Sequence, residues 1–186
     1  MKRKVILVTD GDFVAAKTLE VAAQRVGGSC ISASKGNPTR LSGEQIFKLI
    51  KQAEREPVLV MVDDRGEAGK GKGESALEYL VNHPDLEILG IIAVASNSEI
   101  DNGIKVDFSI DKDGRKIDGP VDKLGSPEPQ GNQYLEGDTV EVLDKLDVPL
   151  IVGTGDTGKM QGKDIWYRGA DITTRAVKEI LARSEK

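Results

Sequence analysis

The stretch Pro57–Asp64, PVLVMVDD, decides the fold. Val58 to Val62 are apolar without a break, and three of the five are valine. A strand with one wet face alternates apolar and polar side chains, so an unbroken apolar run rich in β-branched residues reads as a strand covered on both faces. Such strands belong to parallel sheets sandwiched between helices. The run ends in paired carboxylates, Asp63 and Asp64, and a glycine-rich loop follows before a helical pattern begins near Glu74.

Reading outward in both directions gives the same alternation. Lys4–Thr9, Glu87–Ala95 and the segment VPLIVGTG after Asp147 are further buried strands, and Ser29–Ala33 is a weaker one. Asp12 precedes a helical stripe of Phe13, Ala16, Leu19, Ala23 and Val26, which Gly27-Gly28 ends. Ser42 and Gln45 form a capping box ahead of Ile46, Leu49, Ile50 and Ala53. A helix is expected over 74–82, another near Gly137–Leu146, and a last one from Asp171 or Thr173 with Ile172, Ala176, Val177, Ile180 and Leu181 inward. Residues 96–136 lose this regularity. Within them VDFSIDKDGRKI predicts a β-hairpin insertion around 104–118, with a primed turn at Asp113-Gly114. The expected fold is a single α/β domain over 1–186: a three-layer, doubly wound, mostly parallel sheet of Rossmann- or flavodoxin-like type.

Composition narrows the partners. The 186 residues suffice for one core, and a formal charge of −5 lacks the basic face that nucleic acid requires. The apolar runs are too short for a transmembrane segment, and the N-terminus lacks the long apolar region of a signal peptide. One cysteine, Cys30, excludes an internal disulfide and points to an intracellular protein. The single histidine, His83, precedes Pro84 at a helix end and reads as a turn residue rather than a base. Trp166, Tyr167 and Tyr134 read as core or edge packing.

In doubly wound folds ligands bind beyond the carboxyl ends of the strands. The loops at that edge are TDGD, SKGNPTR, DDRGEAGKGKGE, ASNSE and GTGDTGK. They supply the candidate ligand-binding residues Asp10, Asp12, Asp64, Gly71, Gly73, Ser96, Asn97, Gly155 and Asp156. Asp10, Asp63 and Asp64 are also metal candidates, because hard carboxylate oxygens suit magnesium. Each has a plainer role open to it. Asp12 is placed to cap its helix, Asp63 and Asp64 to bond loop amides, and Asp156 to shape a turn.

Two loops nearly match a phosphate-binding loop. Gly153, Gly158 and Lys159 fit G-x-x-x-x-G-K, as do Gly66, Gly71 and Lys72, but Met160 and Gly73 replace the hydroxyl that holds magnesium. No helix is expected behind Lys159, where Gly162 and Gly169 follow. Nucleotide hydrolysis is therefore not expected, whereas glycine amides remain able to hold a small anionic ligand.

KVILVTDGD, GGSCIS, GNPTRLSGE, PVLVMVDD, GEAGKGKGE, ILGIIAVASN, VDFSID, GDTVEVLDKLDVPLIVG and GDTGKMQGKD together resemble the stage V sporulation protein AE family in its soluble form, over about Lys2 to Ser184. GNPTRLSGE and GDTGKMQGKD are the most specific of these. The resemblance implies a spore-forming bacterium of the Bacillus–Clostridium type and a role in sporulation or germination. It also implies a link to dipicolinic-acid movement, a location in the forespore or spore, and a protein partner in the spore inner-membrane apparatus. It carries over no catalytic residues. Two functions compete: an accessory protein that binds a partner or small ligand at the sheet edge, and a magnesium-dependent phosphoryl-transfer or hydrolytic enzyme using Asp10, Asp63 and Asp64.

Overall fold

The structure, a computed structural model, describes residues 1–64, 71–96, 103–129, 132–137 and 141–185. The elements run β1 (Arg3–Val8), α1 (Phe13–Arg25), β2 (Ser29–Cys30), α2 (Gly43–Gln52), β3 (Val58–Met61), α3 (Lys72–Val81), β4 (Leu86–Val94), β5 (Phe108–Ile110), β6 (Lys116–Ile117), β7 (Ile151–Thr154) and α4 (Asp171–Ser184).

They build one seven-stranded sheet in the order β2-β3-β1-β4-β7-β5-β6. All pairings are parallel except β5 with β6. The alternation within each strand divides the core. Val5, Leu7, Val58, Val60, Ile91 and Ala93 face one layer with Ile46 and Ile50 of α2 and Leu77 and Leu80 of α3. Ile6, Val8, Leu59, Met61, Ile92 and Val152 face the other with Leu19 of α1 and Val177 and Ile180 of α4. This is the expected three-layer, mostly parallel α/β architecture, and it explains why the central strands show no polar face.

Chain direction across the sheet reverses between β1 and β4. From β1 the chain fills β2 and β3 on one side, and β4 and the later strands lie on the other. Such a switch point opens a crevice between the diverging loops.

Three local expectations are corrected. Of the helix expected near Gly137–Leu146, the described residues form a 3-10 turn at Glu141–Lys145. The hairpin expected around 104–118 is present as β5–β6, and Phe108, Ser109 and Ile110 pair in parallel with Val152, Gly153 and Thr154, so it widens the main sheet. Its turn is not primed, because Gly114 alone takes positive φ, while the Asp111 carboxylate accepts from the amides of Asp113 and Arg115. Finally, Phe13, placed in the buried stripe of α1, is exposed, and Tyr134, Trp166 and Tyr167 are exposed too, which leaves them at the edge and not in the core.

Candidate functional site

Loops from both sides of the switch point wall a cavity of about 140 Å³. Thr9, Asp10 and Asp12 come from the end of β1, Asp63 from β3, Val94, Ala95 and Ser96 from β4, and Asp156 and Lys159 from the loop after β7. Asn37 and Lys123 close it from more distant loops.

Backbone hydrogen bonds fix these walls. The Thr9 hydroxyl accepts from the Val94 amide at 2.9 Å, tying β1 to β4. The Thr39 hydroxyl accepts from the Asp63 amide at 2.8 Å, and the Thr39 amide donates to the Asp63 carbonyl at 2.8 Å. The Gly36 amide donates to the Gly11 carbonyl at 2.8 Å. A Cβ on Gly11 would lie 2.1 Å from the Gly36 carbonyl oxygen, so glycine is what lets the two loops touch.

The loop after β7 is held from behind. Asp164 is fully buried, and its carboxylate accepts from the amides of Gly158, Ile172 and Thr173 and from the Thr173 hydroxyl. It thus anchors the loop and caps α4 from seven residues upstream of Asp171, since Ala170 at the cap position offers no side-chain bond. Burial raises the Asp164 pKa, and these donors oppose that rise. Gly158 has φ +78° and packs so close to α1 that a Cβ would meet the Thr18 hydroxyl at 2.1 Å.

Lys159 is the electrostatic centre. Its Nζ donates to Asp12 Oδ2 at 2.6 Å and to Asp156 Oδ1 at 2.8 Å. Partial burial opposes the ammonium charge, but the two carboxylates outweigh it and hold the Lys159 pKa above its ordinary value. Asp12 does two jobs, because its Oδ1 also accepts from the Ala15 amide and caps α1. Burial works against its charge, yet the bonds from Lys159 and from helix amides keep its pKa below the usual value. Lys123 Nζ lies 3.9 Å from Asp156 Oδ2.

Asp10 differs. Burial, then the charge of Asp12, pushes its carboxyl up to about 7, against the lowering effect of the Asp12 amide. No cation is paired with it among the ion pairs of the described residues.

The structure therefore gathers some of the expected residues and separates others. Asp10, Asp12, Asp63, Ser96 and Asp156 share the crevice. Asp64 does not: its two oxygens accept from the Gly73 and Glu74 amides at 2.5 Å each, so it caps α3. Gly71 is the backbone cap residue of α3, and Gly73 lies in its first turn. Gly155 packs against the turn at Gly125 rather than lining the crevice. Asn97 and Gly66 lie outside the described residues. The carboxylates expected to form a magnesium triad are thus divided, and among the described residues no group of three or more His, Cys, Asp or Glu side chains could hold a metal ion.

Behind Lys159 stands only a 3-10 turn, Met160–Gly162, in which Gln161 has φ 56°. There is no helix N-terminus to aim amides at a phosphate there. Lys159 itself carried a signal that was readable: it follows Asp156 by three residues, a spacing suited to an ion pair. Thr9, Asn37 and Lys123 carried none, because their places in the crevice arise from long-range loop packing, and Asp164 carried none because its partners sit six to nine residues away with no regular spacing.

Among the described residues no helix is long and apolar enough to cross a membrane. A family model described as Stage V sporulation protein AE1 matches residues 4–184. No curated protein and no solved structure matches the chain.

Proposed function

The chain belongs to the Stage V sporulation protein AE1 family, and on that premise we propose that it is an accessory protein of sporulation and spore germination, linked to the dipicolinic-acid transport apparatus. It acts by binding a partner protein or small ligand at the switch-point crevice, not by turning over a substrate. Its place is the forespore or spore, at the inner membrane through a protein partner.

One observation carries the binding reading. The crevice combines a buried carboxylate with no cation paired to it among the described residues, Asp10, with a lysine bridge between Asp12 and Asp156 at the position where this architecture places its ligands. Its volume of about 140 Å³ is below the range of ~300–1,000 Å³ in which small-molecule and cofactor sites fall. That favours a small group, or the tip of a side chain, over a whole nucleotide. A small anionic ligand would have to compete with carboxylates for lysines that are already engaged.

The test is genetic. Spores lacking the chain are assayed for dipicolinic-acid content and for its release on germination, and are complemented with wild type, Asp10→Asn or Lys159→Met. Reduced content or release, restored by wild type and not by the two variants, is the expected result. Normal content and release without the chain would overturn the proposal.

A further inference from the structure

Asp10 is the crevice group that its surroundings leave half used. Its Oδ1 accepts from the Gly11 amide at 2.7 Å and the Asp12 amide at 3.3 Å. No donor among the described residues reaches its Oδ2. Yet the residue is only 9% exposed and lines the cavity. The two lysines that line the cavity among the described residues are turned elsewhere, Lys159 to Asp12 and Asp156, and Lys123 to Asp156. A buried carboxylate without counter-charge is costly, and folded proteins satisfy such groups or use them.

The missing partner can be narrowed by chemistry. An anion would face the carboxylates of Asp10, Asp12, Asp63 and Asp156. Magnesium requires near-octahedral oxygen ligands at short range, and no group of three or more suitable side chains converges among the described residues. A guanidinium fork binds both oxygens of a carboxylate, but Oδ1 of Asp10 is committed to backbone amides. An ammonium is compact, needs one oxygen, and brings three donors that turn independently. Thr9 and Asn37 line the same wall. The protein already holds one ammonium this way, in Lys159 between two carboxylates.

The geometry points to a primary ammonium group as the ligand of this crevice, donating to Asp10 Oδ2 and carried by a small alkylamine or by a lysine side chain of a partner. This rests on the reading of the crevice as the binding site. Burial and the charge of Asp12 place the Asp10 carboxyl near 7, so an ammonium that binds the ionised form must lower that value.

The experiment uses the full chain at about pH 8, where Asp10 is mostly ionised. Carboxyl NMR and thermal melting are followed while n-butylammonium chloride, tetramethylammonium chloride, magnesium chloride or the peptide acetyl-Gly-Lys-Gly-amide is added. The expected result is a saturable shift of the Asp10 carboxyl signal with n-butylammonium at millimolar concentration, and a lower Asp10 titration midpoint. Tetramethylammonium, which has no N–H, produces neither effect, and Asp10→Asn weakens binding at least tenfold. Peptide binding tenfold or more tighter than the amine identifies a partner's lysine as the source, and equal binding identifies a free amine. No saturable shift, an equal response in Asp10→Asn, an equal response to tetramethylammonium, or a larger Asp10-dependent response to magnesium would overturn the assignment. None of these results touches the spore phenotype, so complementation still judges the binding role separately. Normal complementation by Asp10→Asn with the amine shift intact would support the ligand and overturn the function.

Discussion

The charge of one residue, Asp10, sets how the crevice responds to pH. In the unfolded chain its carboxyl titrates near ~3.9, whereas burial and Asp12 push it to about 7 in the fold. Between these values the folded state binds the extra proton, so this group's contribution to stability falls as pH rises from about 4 to about 7 and is constant above. Asp12 has the opposite sign: its lowered pKa makes its contribution fade as pH falls through the folded value. Subtraction separates the two. Asp10→Asn keeps an oxygen for the Gly11 and Asp12 amides but cannot ionise. We expect Asp10→Asn to match wild type near pH 4 and to be more stable above pH 7, by a gain on the order of a few kcal/mol. Melting temperatures of both proteins across that range check this, and a mutant less stable at pH 8 would show that the ionised carboxylate is already satisfied. A gain would mark Asp10 as a residue kept at a cost to stability, as binding groups often are.

At the scale of elements, caps decide which acidic residues are structural. Asp64 binds the Gly73 and Glu74 amides with both oxygens, while Gly71 at the cap position has no side chain to offer. Removing a side-chain cap costs about 0.5–2 kcal/mol. Asp64→Ala is therefore expected to lower the melting temperature by a few degrees and to speed amide exchange in the first turn of α3, equally with magnesium or with chelator. A loss seen only with magnesium would return Asp64 to a metal role. The capping box of α2 was legible in sequence, and the structure has both its bonds, Ser42 to the Gln45 amide and the Gln45 side chain to the Ser42 amide. The Asp64 cap was not, because its partners Gly73 and Glu74 lie nine and ten residues further along the chain. The same distinction runs through the chain. Continuous apolar runs revealed β1, β3, β4 and β7, but the pairing of β5 with β7 joins segments about forty residues apart and leaves no local pattern. The 3-10 turn at Glu141–Lys145 has helical composition without a full buried stripe; Leu143 is buried there, but Val142 and Leu146 only partly. The loop after β7 likewise imitates a phosphate loop in glycine spacing alone. With Lys159 bound to Asp12 and Asp156 and no α-helix behind it, we expect no ATP or GTP turnover with magnesium. Turnover lost in Lys159→Ala would contradict that.

For the whole molecule, the question is how a chain of this charge reaches a membrane apparatus. No described helix can span a bilayer, and the formal charge is −5. Each Lys or Arg near an anionic surface contributes about 1 kcal/mol, and acidic residues oppose it. Here most basic side chains at the crevice and on α1 and α4 sit in ion pairs, including Lys17 with Glu20, Arg25 with Asp171 and Arg175 with Glu179. The exposed Trp166 and Tyr167 on the turn before α4 offer apolar surface, but only a short stretch of it. Two such side chains beside a net acidic surface do not match the combination of apolar burial and basic charge that holds amphipathic segments at an interface. We therefore expect the purified protein to remain in solution without detergent, and to stay unbound when mixed with vesicles rich in phosphatidylglycerol at physiological salt. Vesicle flotation measures this directly. Flotation with lipid alone, weakened by salt, would mean that a basic patch dominates locally despite the net charge. Flotation that persists in salt and is lost in Trp166→Ala or Tyr167→Ala would assign the contact to the aromatic turn. Either result would replace a protein partner with direct docking. Flotation only when membrane proteins are reconstituted in the vesicles is the outcome the charge distribution favours, because a protein surface can present the discrete cations that an anionic lipid surface lacks.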